Sequence, residues 1–414
     1  MRSPPIDRRL LAIALALLVF SAASISNIPF MQPIGIDLAN LHAFHHCVYE
    51  ARGERLEVRN DPYLVPGSIC GDPDARAMFY PPLLYWSFTW VRLASLRVSW
   101  VLWSVAILLG MAALPLAWLT SEERRLAGRV ELAVFWALMV VQFPVAFAVE
   151  RGNSDVLIVL FWTASMLLFR AGKPTLAGAA GGLSVALKVY PILAVVAVSG
   201  ALFFFDRRLL LRWLAGAIGG LAFAVALLPI ETWVYVREVL PFFAARTPPQ
   251  EIYSHSVPAL AGRVGARLVA AALLALWSFA GARTLAVDPR RAFAGALAIS
   301  TYFAATSYDY NLVTCYPLLV LCFVGLAARG SRLDGVLALG GIVAILAHRG
   351  VFEKAANLHV ALQVAWLALA ALGVSLGGSC APASAVTRVL GEGNPIGGDA
   401  PGKGLRGWPP APFA

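Results

Sequence analysis

The chain alternates long apolar runs with short charged breaks. The runs lie at 10–28, 99–119, 130–149, 153–170, 175–187, 190–206, 209–230, 265–287, 291–307, 311–328, 333–349 and 357–376. A perpendicular membrane helix needs roughly 20 apolar residues, and this spacing predicts about 12 of them. Two runs, 176–187 and 191–205, fall short of that length and predict helices that tilt or sit where the bilayer is thinned. The break between them reads Lys188-Val189-Tyr190-Pro191, a cation followed by a proline. The segment 83–98 is apolar but carries Arg92 and Arg97, so it is read as lying in the interface and not as a span. The first run follows Arg8-Arg9 in the manner of a signal peptide. It is long enough to span, and no small-x-small cleavage site precedes Asn27-Ile28-Pro29, so it reads as a retained signal anchor.

The charged breaks set the orientation. With a cytoplasmic N-terminus, the inner loops hold Arg124, Arg125 and Arg129; Arg170 and Lys173; Arg207, Arg208 and Arg212; Arg283, Arg290 and Arg291; and Arg329 and Arg332. Every short cationic loop then faces inward, as the positive-inside rule requires. The outer side receives a long loop at 29–98, a second at 231–264, and tight connections at 150–153, 307–311 and 348–354. Counting 83–98 as a span would place Ser121-Glu122-Glu123-Arg124-Arg125 outside, which disfavours that count.

Composition removes the alternatives. With 59% hydrophobic and 14% charged residues in 414, and a mean hydropathy of +0.74, the chain cannot fold as one water-soluble body. The expected fold is an all-α polytopic membrane protein, with one transmembrane domain over 1–376 and a disordered cytoplasmic tail over 377–414. A formal charge of +10 raises the question of nucleic acid. The cations are divided among loops rather than gathered on one face, so nucleic acid is excluded as a partner and membrane lipids are expected. Cys47 and Cys70 share the long outer loop, where a disulfide and two separate thiols both remain open. Cys315, Cys322 and Cys380 read as packing residues in or beside spans.

Candidate chemistry gathers on the outer side. Asp37 follows the first span, in a polar segment at 31–82 that closes on Phe79-Tyr80-Pro81-Pro82. On the predicted topology it is joined there by Glu150, Arg151, Asn153, Asp155, Lys188, Tyr190, His255, Arg263, Asp309, Asn311, His348 and Arg349. Each alone can cap a helix end, but ionisable groups near hydrocarbon cost several kcal/mol, so their one-sidedness is the signal. One carboxylate among several cations suits a reaction in which a hydroxyl attacks and a phosphate leaves. Asp37 would take the proton as general base, and Lys188, Arg151, Arg263 and Arg349 would stabilise the phosphate. Glu150 and Asp155 are alternative bases, with Asp155 expected to point into the bundle toward a cation.

Three further patterns carry less weight. His42, His45 and His46 stand at zinc-like helical spacing on an expected helix over 38–51, with no fourth ligand nearby beyond Glu50 or Cys47, and no metal is expected. Asp72-Pro73-Asp74 resembles a metal-binding acid pair but is read as loop chemistry. Tyr80, Trp86, Trp90, Trp100 and Trp103 could stack on a sugar or prenyl chain, and are read instead as an interfacial aromatic belt.

The chain carries, in order, Gly35-Ile36-Asp37, Asp61-Pro62-Tyr63, Phe79-Tyr80-Pro81-Pro82, Arg151-Gly152-Asn153-Ser154-Asp155 and Ala186-Leu187-Lys188-Val189-Tyr190-Pro191, then Ser254-His255-Ser256 with Arg263, and Ser307-Tyr308-Asp309-Tyr310. This order of motifs resembles that of glycosyltransferase family 87. The resemblance covers residues 10 to 350 and looks like a polyprenol-phosphate-mannose-dependent mannosyltransferase of the GT-C superfamily. It implies an enzyme of the bacterial inner membrane that moves mannose, on the outer face and with inversion, from a polyprenyl-phosphate donor to a glycolipid or glycan hydroxyl. It also implies Asp37 as the catalytic residue, a substrate pocket that includes Tyr80 and Tyr308, and no metal or cofactor besides the donor substrate. The chain departs from many relatives at Asn153-Ser154-Asp155, where they resemble Gly-Gln-x-Asn. A lipid-linked glycan transporter or channel would also show many spans and buried charges. It would more often show internal repeats, which this chain lacks, and would not need the large first outer loop.

Overall fold

The computed structural model describes residues 8–25, 35, 37–42, 45, 80–126, 129–241, 257–285, 288–302, 309–329, 332–346 and 356–377. These residues are helical almost throughout, as expected of an all-α polytopic membrane protein. The helices are α1 (Arg8–Ile25), α2 (Pro82–Ser87), α3 (Leu96–Trp118), α4 (Ser121–Leu126), α5 (Arg129–Val140), α6 (Phe143–Arg151), α7 (Asp155–Arg170), α8 (Pro174–Leu187), α9 (Ile192–Phe205), α10 (Arg207–Leu227), α11 (Pro229–Val234), α12 (Val257–Leu285), α13 (Pro289–Tyr302), α14 (Tyr316–Arg329), α15 (Arg332–Gly341) and α16 (Ala356–Gly377).

Among the described residues, three helical stretches are long and apolar enough to cross a membrane alone: Leu96–Trp118, Arg207–Leu227 and Val264–Leu285. A fourth crossing arises if α5 and α6 count as one span bent by 43°. The bend falls at Val141-Gln142, just before a proline at the start of α6, where a helix hydrogen bond is lost. The buried Gln142 amide fills the gap by donating to Leu18 O at 3.0 Å and Leu138 O at 2.8 Å, which ties α1 to the bend. Several other predicted runs appear as helices shorter than a span, among them α8 and α9 at 14 residues each. The segment 83–98 is not one interfacial helix. It divides into α2 and a 3-10 turn at Thr89–Leu93, and α3 begins at Leu96, where the Ser95 hydroxyl accepts from Val98 N at 3.4 Å. Arg92 and Arg97 are exposed.

The core is built on α13 and α14, whose residues from Ala292 to Tyr302 and from Tyr316 to Ala327 are buried on all sides. Helices apolar all round belong inside a bundle. Trp162 of α7 lies fully buried against Trp213 and Phe293, and its indole N–H donates to Phe293 O at 2.7 Å. The helix α8 packs on α10 through glycines on both sides. A β-carbon at Gly178 or Gly182 would enter the backbone of α10 at Trp213 and Ala217, and one at Gly216 or Gly220 would enter that of α8 at Thr175 and Ala179. Without a hydrophobic drive in lipid, such small-residue faces are what let two membrane helices approach.

Ion pairs close the two ends of the bundle. At one end Arg290 pairs with Glu123 and with Asp288 (2.7 Å) and donates to Trp118 O at 2.8 Å, while Arg291 pairs with Asp334 at 3.0 Å. All come from loops expected on the inner side or from the ends of the runs that border them. The residues at the other end all come from segments expected outside. The helix α3 connects the two ends with 23 residues, about 35 Å at 1.5 Å per residue, close to the thickness of a bilayer's hydrocarbon core.

Candidate active site

The site is built on the elbow between α6 and α7. The helix α6 ends at Gly152, whose φ of 66° lies in the left-handed region that favours glycine. The N–H groups of Gly152 and Asn153 turn back to Val149 O at 3.1 Å and Ala148 O at 2.9 Å, which closes the helix end. Space imposes glycine as well, because a β-carbon at Gly152 would stand 2.7 Å from that of Leu38. The Asn153 side-chain oxygen then accepts from Asp155 N at 2.8 Å and starts α7. Two indoles hold the elbow from α3. Trp100 donates to Val149 O at 2.9 Å and Trp103 to Asn153 O at 3.0 Å. These two tryptophans therefore support the site's backbone, which corrects their reading as part of an interfacial belt. Trp86 is exposed, and Trp90 packs beside Trp103.

Asp37 is delivered to this elbow by its own turn. Gly35 takes a φ of 75°, its N–H donates to Glu150 O at 2.5 Å, and a β-carbon there would meet the Trp100 ring at 2.8 Å. Residues 37–42 and 45 are helical. His42 Nε2 donates to Ala94 O at 3.1 Å and His45 Nε2 to Tyr85 O at 2.9 Å, so both imidazoles brace this helix against the α2–α3 region.

Two carboxylates lie side by side, each with its own donors. Asp37 Oδ1 accepts from the Arg151 guanidinium at 2.8 Å, and Oδ2 accepts from Asn153 Nδ2 at 3.2 Å. Asp155, fully buried, accepts from Lys188 Nζ at 2.7 Å and Tyr190 Oη at 2.8 Å on one oxygen and from Asn311 Nδ2 on the other. Lys188 stands just past the end of α8 in extended backbone, with its ammonium 5.1 Å from the centre of the Tyr80 ring. Tyr80 touches the fields of both carboxylates. Burial, and after it the charges of Asp37 and Asp155, push its phenol well above the ordinary range, which keeps it a neutral hydroxyl.

The structure thus brings together Asp37, Glu150, Arg151, Asn153, Asp155, Lys188, Tyr190, Tyr80 and Asn311. Arg263 and Asp309 fall on described backbone, in α12 and in the 3-10 helix Asp309–Cys315. His255, Tyr308, His348 and Arg349 lie outside the described residues, as do His46, Cys47, Cys70, Asp72-Pro73-Asp74 and the segment 378–414. Cys315 and Cys322 are buried free thiols. Sequence reasoning missed the supports: Trp100, Trp103 and Tyr85, whose hydroxyl accepts from Tyr80 N at 3.3 Å. The glycines of Gly35-Ile36-Asp37 and Arg151-Gly152-Asn153 were the available signal, since a glycine beside a polar residue at a helix end marks a tight turn.

No curated protein and no solved structure matches the chain. The sequence model of glycosyltransferase family 87 does, over residues 79–307. The match takes in the elbow from Arg151 to Asp155 and the break at Lys188, and leaves Asp37 and Asn311 outside it. It covers more than half of a chain whose fold is that of a polytopic membrane protein, and on it the chain belongs to glycosyltransferase family 87, as a membrane glycosyltransferase.

Proposed function

We propose that the enzyme transfers a sugar, mannose by its resemblance, from a polyprenyl-phosphate donor to a hydroxyl of a lipid or glycan acceptor, on the outer face of a bacterial inner membrane and with inversion at the anomeric carbon. The observation that carries this reading is the Asp37 carboxylate, buried at one end of the bundle and held between a guanidinium and an amide. In the proposed step the acceptor oxygen bonds to the anomeric carbon as the bond from that carbon to the phosphate oxygen breaks. Asp37 takes the acceptor's proton, and polyprenyl phosphate leaves with the electron pair. Arg151 and Lys188 lie within the same group of side chains, and their positive charge favours the phosphate that departs. Arg263 and Arg349 are the further cations proposed for the phosphate. Glu150, Asp155, Tyr80, Tyr190, His255, Tyr308, Asp309, Asn311 and His348 are proposed for the surrounding pocket, with Asn153 in its wall behind Asp37, and no cofactor takes part beyond the donor.

The test is radiolabelled transfer in membranes, from polyprenyl-phosphate mannose to extracted lipids. Label that moves into a new lipid or glycan product with wild-type protein, and stays in the donor with Asp37→Asn protein, supports the reading. Label that crosses the membrane still attached to its donor would instead mean transport.

A further inference from the structure

We infer that Asn153 is a positioning residue for the proton acceptor and not a contact to substrate. The inference rests on the reading of Asp37 as the base. Both ends of this side chain are assigned by their partners. Its oxygen takes the backbone N–H of Asp155 at 2.8 Å, and an N–H can only be accepted. The amide nitrogen is therefore the end that faces Asp37, as a donor to Oδ2 at 3.2 Å. The side chain is buried to 1% exposure, and its own carbonyl is fixed by the Trp103 indole at 3.0 Å. Asn153 consequently has little freedom to turn toward a ligand.

The arrangement has a mechanical reading. Arg151 holds one oxygen of Asp37 by charge, at a partly exposed site, whereas Asn153 holds the other by a neutral contact anchored in backbone. The anchor extends further, because the N–H that fixes Asn153 belongs to Asp155, and Asp155 is itself clamped by Lys188 and Tyr190 from the break after α8 and by Asn311 from the 3-10 helix Asp309–Cys315. Arg151 is bonded to Asp37 and Tyr80 feels its charge, while Asp155, paired with Lys188, lies behind Asn153. The second, fully buried carboxylate thus serves to hold the first at a fixed angle.

Asn153→Asp (N153D) separates the roles. Aspartate offers the Asp155 N–H the same acceptor oxygen as asparagine, so the turn into α7 survives, but the donor to Asp37 is replaced by an acceptor. Positioning predicts that turnover falls by about tenfold to a hundredfold, the cost of a small misplacement of a reacting group, while the KM for polyprenyl-phosphate mannose stays within about twofold. It also predicts that the loss disappears in an Asp37→Asn background, since Asn153 acts only through that carboxylate. The exchanged pair D37N/N153D keeps one N–H···O contact between the two positions. Any drop in melting temperature caused by N153D should be reversed in the exchange, without return of transfer. If N153D does not accumulate, Asn153→Ser, whose hydroxyl can accept the same backbone N–H, carries the kinetic comparison.

A raised donor KM with turnover intact would make Asn153 a substrate contact and overturn the inference. So would unchanged kinetics, or a loss that persists undiminished beside D37N. Full transfer by D37N alone would instead remove the base, while recovery of stability in the exchanged pair would still read the Asn153–Asp37 contact by itself.

Discussion

A carboxylate serves as a base only if it is held where the proton leaves, and Asp37 is held by two donors on different oxygens. Asp37→Asn preserves size and hydrogen bonding, and it preserves any role at the start of the helix, where asparagine caps as well as aspartate. Loss of basicity then stands alone, and transfer should fall by about a hundredfold or more with folding and donor binding retained. Near-normal turnover by well-folded protein would leave the structural role and remove the catalytic one. Lys188 poses the opposite problem, because its ammonium is already bonded to buried Asp155. Lys188→Ala should weaken donor use by roughly 1.5 to 3 kcal/mol if it binds the phosphate. It should also leave an uncompensated charge, at about 3 to 5 kcal/mol of stability. Removing both charges, as Asp155→Asn with Lys188→Met, should raise the melting temperature above that of Lys188→Met alone while the donor KM stays high. A donor KM restored to wild type in that pair would move the phosphate to Arg151, Arg263 or Arg349. The polar residues of this cluster were legible in the sequence because ionisable groups at the edges of apolar runs stand out. The indoles of Trp100 and Trp103 were not, because an aromatic near a membrane boundary reads the same whether its N–H meets lipid headgroups or a helix-end carbonyl.

At the scale of elements, the apolar runs foretold most helices but not how they break. The bend between α5 and α6 had a signal in Pro144, which the run 130–149 absorbed without remark. The division of 83–98 into α2 and a 3-10 turn had only a weak one, since Arg92 and Arg97 argued against a span without saying where α3 would begin. The contact between α8 and α10 was hidden for a different reason: glycine has no hydrophobic period, so its face is visible only when both helices are in place. That contact matters for chemistry because α8 ends where Lys188 begins. Gly182→Leu would force a side chain into the α10 backbone at Ala217. The expected overpacking cost is about 1 to 3 kcal/mol, with Lys188 drawn from Asp155 and the donor KM raised. Gly219→Ala supplies the control, because nothing lies within 4 Å of a β-carbon there and a helix-interior glycine is replaced. It should melt at or above the wild-type temperature by up to about 1 kcal/mol of stability. Equal losses from both variants, followed by thermal unfolding in detergent and donor titration, would show that the glycines serve helix flexibility and not approach.

For the molecule as a whole, two charged clusters face each other along α3, and they divide the loops as the cation count did. Glu123, Asp288, Arg290, Arg291 and Asp334 meet at one end, while Asp37, Arg151, Asp155 and Lys188 meet at the other. The rule that cationic loops stay inside assigns each loop to a side one at a time. Packing divides them independently, since ion pairs join loops only if they share a side. The two agree on membership, and the rule predicts that the end of Arg290, whose partner Glu123 shares a helix with Arg124 and Arg125, is the cytoplasmic one. Single cysteines in a background stripped of the five native ones provide the measurement. Labels near Asp37, His255 and Lys354 should react with an impermeant reagent applied from outside, and labels near Arg125, Arg208 and Arg290 should react only after permeabilisation. Reaction at Arg125 from outside would invert the molecule. It would place Asp37 among cytoplasmic substrates and oblige the donor to be a different one, so this measurement bears on the chemistry as much as on the fold.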